Sequence, residues 1–110
     1  MKLLFCGDVS GAAGRKAVKK FVPELKQQLK LDCVVVNGEN AAHGLGLTPH
    51  TYQELINAGA DVITMGNHTF DKMDVVKIWQ QENALVRALN YPEDTAGKGY
   101  HIITVQNKRI

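Results

Sequence analysis

Five residues of this chain have types and positions suited to chemistry: Asp8, Glu39, Asn40, Asn67 and His68. They fall in three groups, each immediately preceded by a glycine, as Gly7-Asp8, Gly38-Glu39-Asn40 and Gly66-Asn67-His68, and each group closes a short apolar run. Carboxylate and amide oxygens with some imidazole suit a hard divalent cation such as Mn, Fe or Mg better than a structural zinc. Singly, Asp8 could cap a helix, Asn37 and Asn40 could shape a turn, and Asn67-His68 could be a satisfied loop pair. Together, after three successive strands, they point to one shared metal or phosphate site. In an open α/β sheet the carboxyl ends of the strands are where ligands bind, and glycine before each polar group lets the chain turn over the sheet edge.

The elements that must position these residues are legible in the apolar pattern. Lys2 to Gly7, Cys33 to Val36 and Val62 to Met65 are short apolar runs bounded by turn residues and read as strands. Val18, Phe21, Val22, Leu25 and Leu29 fall at helical spacing, with Pro23 predicting a kink or a second helix start. Thr48-Pro49 opens a helix that should run to about Ala58 and stop at Gly59. Met73 to Gln81 predicts a third helix, Leu85 to Ala88 a fourth strand, Asn90 to Gly99 a loop and Tyr100 to Val105 a fifth strand. Strand and helix units alternating about every thirty residues predict an α/β fold with a largely parallel sheet and right-handed crossovers.

Composition bounds the partners. The 110 residues carry a net charge of +2, with 45% hydrophobic and 22% charged residues, so charge indicates neither nucleic acid nor a membrane surface. Arg15, Lys16, Lys19, Lys20, Lys26 and Lys30 read as a solvated helix face. No apolar run approaches the roughly twenty residues of a membrane span, and the first six residues are too short an apolar stretch for a signal peptide, which leads us to expect a cytoplasmic protein. Cys6 and Cys33 lie in separate strands and read as buried reduced thiols. Gly7, Gly11 and Gly14 do not match a dinucleotide loop, and there is no GKS, GKT or G-x-S-x-G. His43, His50 and His101 lie outside the strand-end positions, while Tyr52 and Trp79 read as packing residues.

The runs FCGDVSGAAGRKAV, VVNGENAAHGLGLTP, DVITMGNHTFDK and NYPEDTAGKGY resemble the YmdB-like metallophosphoesterases of bacteria, a branch of the calcineurin-like phosphoesterase superfamily. The pairing of NGENAA with MGNHT carries the resemblance, since the wider superfamily places a second aspartate motif where this branch has Glu-Asn. The resemblance implies the N-terminal part of a calcineurin-like four-layer α/β sandwich and a pair of divalent metals, iron or manganese before magnesium or zinc. It implies that Asp8 binds one metal, Glu39 contacts both, Asn40 supports the site and Asn67 binds the second. His68 resembles the non-ligand histidine that steadies or protonates the leaving group. The implied substrate is a small phosphate ester or cyclic nucleotide.

The family also places three metal-binding histidines downstream, and two metals need about six to eight protein ligands, more than these strand ends supply. Gln106-Asn107-Lys108 reads as a turn and Arg109-Ile110 as the start of a returning strand, so residues 1–110 read as the N-terminal part of a domain that stops inside a hairpin. Such a chain is expected to lack activity alone and to form homo-oligomers through an open sheet edge. The competing reading from the residues is a non-catalytic regulatory or phosphate-binding α/β domain.

Overall fold

Runs of β-branched and apolar residues fill the strands, and the longest, Cys33–Asn37, is the first to be flanked on both sides. In the computed structural model, which describes residues 1–110, the order is β1 (Leu3–Cys6), α1 (Gly11–Leu29), β2 (Cys33–Asn37), α2 (Pro49–Asn57), β3 (Val62–Thr64), α3 (Val75–Gln81), β4 (Leu85–Val86), β5 (Thr104–Val105) and β6 (Lys108–Arg109). The first four strands form one parallel sheet in the order β1-β2-β3-β4. Registers Phe5↔Val35, Val36↔Ile63 and Ile63↔Leu85 fix which side chains share a face.

Sequential order has a geometric consequence. Each crossover runs in the same direction, and right-handed crossovers then put every helix on one face. The core shows this: Val18 and Val22 of α1, Tyr52 and Leu55 of α2, and Val75 and Ile78 of α3 join Val34, Val36, Ile63 and Leu85 in a single buried cluster. Leu3 and Phe5 point to the opposite side of the sheet and are 46% and 57% exposed. The chain therefore provides a helical layer and a sheet, two of the four layers of the expected sandwich.

Helix α1 runs from Gly11 to Leu29 as a single helix, so of the two outcomes expected at Pro23 the second helix start does not occur. Pro23 is exposed while Val18 and Val22 are buried, so the proline sits on the solvent side of the helix and the apolar face is uninterrupted. Helix α2 starts as the sequence implies. Thr48 and Thr51 exchange side-chain and backbone hydrogen bonds in a capping box, with Pro49 at the first helical position.

Helix α3 is shorter than expected, since Lys72 and Met73 form a turn before Val75, and Met73 is 69% exposed. Strand β4 stops at Val86: the Arg87 N–H donates to the Lys98 carbonyl, and the buried Arg87 guanidinium donates to the carbonyls of Ala88 and Thr95, folding the following loop back. The alternating run Tyr100 to Val105 yields only the two-residue β5. Tyr100 and Ile102 stay exposed because the only strand opposite is β6, reached through a two-residue turn with Gln106 and Asn107 at positive φ.

Both cysteines are free; Cys33 is fully buried and Cys6 half-buried, and burial pushes both thiols up. No helix is long and apolar enough to cross a membrane.

Candidate metal centre

The polar residues after β1, β2 and β3 meet along the carboxyl edge of the sheet. After β1, Val9 is buried and its N–H donates to the Asn37 carbonyl at 3.1 Å. This anchor holds Asp8 at φ 45, a left-handed conformation that Asp tolerates better than most residues. The turned Asp8 carboxylate accepts a 2.7 Å hydrogen bond from Asn40 Nδ2.

The segment after β2 is tied to itself. The Glu39 carbonyl accepts from Gly46 N–H, Ala42 N–H donates to the Gly46 carbonyl at 2.9 Å, and Ala41, Ala42 and Leu47 are fully buried. Gly44 and Gly46 hold φ of 90° and 76°, which ordinary side chains disfavour, and a Cβ on Gly46 would lie 2.7 Å from Lys72 Cγ. The loop is thus a rigid platform under Glu39 and Asn40.

Glu39 reaches across to β3. A Cβ placed on Gly66 would lie 2.3 Å from Glu39 Oε2, so the carboxylate occupies the space that any side chain at position 66 would fill. The same oxygen accepts from the His68 N–H at 3.4 Å. Asn67 Nδ2 stands 3.3 Å from His68 Nε2, and His68 Nδ1 stands 2.7 Å from Asp71 Oδ2. Tyr91 supports this loop, its hydroxyl 3.4 Å from the Gly66 carbonyl and its ring edge-on to Phe70 at 5.5 Å.

The side-chain oxygens of Asn37 and Asn40 are buried without a hydrogen-bond partner. An amide oxygen left so costs about 1–3 kcal/mol. For Asn40, the unpartnered oxygen belongs to the same amide whose Nδ2 is bound to Asp8. This donor set fits an oxygen-preferring divalent cation. It is a partial set, however: no three His, Cys, Asp or Glu side chains stand close enough together to hold an ion.

All five residues singled out from the sequence lie on this edge, as Asp8 with Asn40 and Glu39 with Asn67 and His68. Arg15 faces away from it, since its guanidinium binds Glu54 at 2.6 Å and the Ala41 carbonyl, tying α1 to α2 and to the platform. The glycines of the first loop offer no phosphate cradle either, because the Gly11 and Gly14 N–H groups are taken by the carbonyls of Asn40 and Ser10. His43 and His50 are exposed. Asp71 and Tyr91 were not recognised from the sequence; the three-residue step from His68 to Asp71 was the available signal for the former.

Comparison with known proteins gives a consistent assignment. A 2′,3′-cyclic-nucleotide 2′-phosphodiesterase of Bacillus subtilis (strain 168) is 48% identical over 110 residues, which is all of this chain and 42% of that protein. A crystal structure of a hypothetical protein from Thermus thermophilus superposes with a TM-score of 0.93 at 39% identity, covering 99% of this chain and 42% of that one. That of a novel phosphatase from Mycoplasma pneumoniae gives 0.84 at 40% identity, over 94% of this chain and 38% of that one. The chain thus spans about two-fifths of the length of its relatives. The sequence pattern of the YmdB-like proteins matches residues 4–110, taking in every residue of the edge just described, and the chain belongs to that family.

Proposed function

We propose that this chain supplies the carboxylate and amide side of a two-metal centre that hydrolyses a small phosphodiester in the cytoplasm. The observation that carries the reading is the seating of Glu39 over Gly66 against the His68 N–H, beside the buried, unpartnered Asn40 oxygen. Asp8, Glu39, Asn40 and Asn67 would hold the ions, iron or manganese before magnesium or zinc. When bound, such ions activate water and withdraw charge from the phosphoryl oxygens.

The residues themselves do the positioning. The Val9 anchor and the bonded platform fix Asp8 and Asn40, so their oxygens need no reorganisation to receive a cation. His68 is held beside Asn67 and carries a proton to the departing ester oxygen, a contribution typically of about 100- to 10,000-fold. The B. subtilis relative, a 2′,3′-cyclic-nucleotide 2′-phosphodiesterase by name, supports a cyclic nucleotide or related ester as substrate.

The test uses the protein carrying this chain at the length of its relatives. Elemental analysis and hydrolysis of two diesters, bis-p-nitrophenyl phosphate and one releasing a simple alcohol, are measured for wild type, Asp8→Ala and His68→Ala. Asp8→Ala should lose metal, and His68→Ala should keep it while losing turnover on alcohol-leaving esters. A His68→Ala protein stripped of metal would overturn the assignment of roles.

A further inference from the structure

One acidic group at the edge is not among the residues assigned above to the metals. Asp71 lies three residues beyond His68, and its carboxylate makes one side-chain contact, the 2.7 Å hydrogen bond to His68 Nδ1. The turn between them is rigid. Thr69 is fully buried and its hydroxyl donates to the Gly66 carbonyl at 2.6 Å; Phe70 packs against the rings of Tyr91 and Trp79; and the Asp71 N–H donates to the His68 carbonyl at 3.3 Å. Asp71 is thus placed by the fold and not by attraction to His68 alone.

The two ring nitrogens meet different partners. A carboxylate can only accept, so the 2.7 Å contact puts a hydrogen on Nδ1 and leaves Nε2 as the ring nitrogen that no carboxylate holds. We infer that Asp71 is a positioning residue of the phosphodiester cleavage reaction, committing His68 Nδ1 to itself so that Nε2 is the nitrogen that exchanges a proton with the substrate.

The inference rests on the role given to His68 above. In the step it describes, water oxygen bonds to phosphorus as the bond from phosphorus to the departing oxygen breaks. The departing oxygen takes the Nε2 proton of the charged imidazole while Nδ1–H stays on Asp71. The attacking water gives up one proton to bulk solvent, and Nε2 regains one from it, so the net reaction is diester plus water to monoester plus alcohol.

The test compares Asp71→Ala, His68→Ala and wild type on two diesters, one releasing p-nitrophenolate, which needs no proton, and one releasing a simple alcohol. For Asp71→Ala we expect kcat to fall about 10- to 100-fold on the alcohol ester, within the range seen when a group orienting a histidine is removed. On the p-nitrophenyl ester the loss should be several-fold smaller, with KM and metal content unchanged on both. Nitrogen-15 NMR of the metal-free protein should find the His68 hydrogen on Nδ1, and in Asp71→Ala a shift towards Nε2–H. Equal losses on both esters, lost metal or an unaltered tautomer would reduce Asp71 to a turn residue and overturn the inference. If His68→Ala itself keeps full rate on the alcohol ester, the underlying assignment fails first. If His68→Ala is impaired and Asp71→Ala is not, this inference alone falls.

Discussion

Replacing Gly66 by alanine tests the centre without touching a ligand. The added Cβ would lie 2.3 Å from Glu39 Oε2 and 2.7 Å from both Cδ and Oε1, where an ordinary contact is about 3.4 Å, so the carboxylate must withdraw by about 1 Å. The obstructed atoms are the end of a flexible side chain, and Gly66 has no positive φ, so alanine suits the backbone. The fold should stay within about 1 kcal/mol of wild type, since glycine replacement at a compatible position is neutral to stabilising. The centre should suffer far more. Displacement of about 1 Å typically costs about 100-fold in rate, and a disturbed orienting contact costs about 10- to 100-fold in metal affinity. Thermal unfolding of the metal-free protein, metal titration by calorimetry and phosphodiester turnover would be measured together. A Gly66→Ala protein with normal melting, normal metal content and normal rate would refute the placement of Glu39 as a ligand. A protein that no longer folds would refute the claim that only a side-chain end is displaced.

Three further outcomes follow from the packing. Burial, with the Glu82 charge adding to it, pushes the Tyr52 hydroxyl up to about 12. The raised value favours the neutral form, so this contribution is fully present below about pH 10 and is lost as pH rises towards 12; Tyr52→Phe should flatten that part of the alkaline unfolding profile. Leu55→Ala, at a fully buried core position, should lower the unfolding free energy by about 2–5 kcal/mol in urea titration. Thr48→Ala removes the hydroxyl that accepts from the Thr51 N–H while leaving the Thr48 N–H to Thr51 Oγ1 half of the capping box, and should cost about 1 kcal/mol, read as a lower melting temperature.

The first three strands and all five edge residues were legible because each strand is a short apolar run ending in glycine and a polar group, a pattern set by local chemistry. The second helix start expected at Pro23 does not occur because sequence shows that a proline breaks a helical bond but not which side of the helix it occupies; here it is the exposed side. Tyr100 to Val105 misled for a related reason. Alternation describes a chain able to be a strand, whereas pairing needs a neighbour, and only Ile103 to Val105 find one, in the returning segment. Arg15 looked like part of a solvated basic face, yet its charge is spent joining two helices, which follows from the position of Glu54 thirty-nine residues away. Asp71 and Tyr91 escaped notice because a carboxylate beside an imidazole, or a phenol under a loop, acquires meaning only when the turn between them is known.

The order β1-β2-β3-β4 also bears on how the molecule comes into being during synthesis. Each strand pairs with the one made just before it, at separations of 30 residues from Leu3 to Cys33, 27 from Val35 to Val62 and 22 from Ile63 to Leu85. Among these four strands every pairing is made within about thirty residues, so these contacts stay local for a parallel architecture and form early in folding. The ribosome delivers Asp8, then Glu39 and Asn40, then Asn67 and His68, in the same left-to-right sequence that they occupy along the edge. A nascent chain can therefore lay down this side of the centre progressively, each new strand seating its own polar group against one already in place.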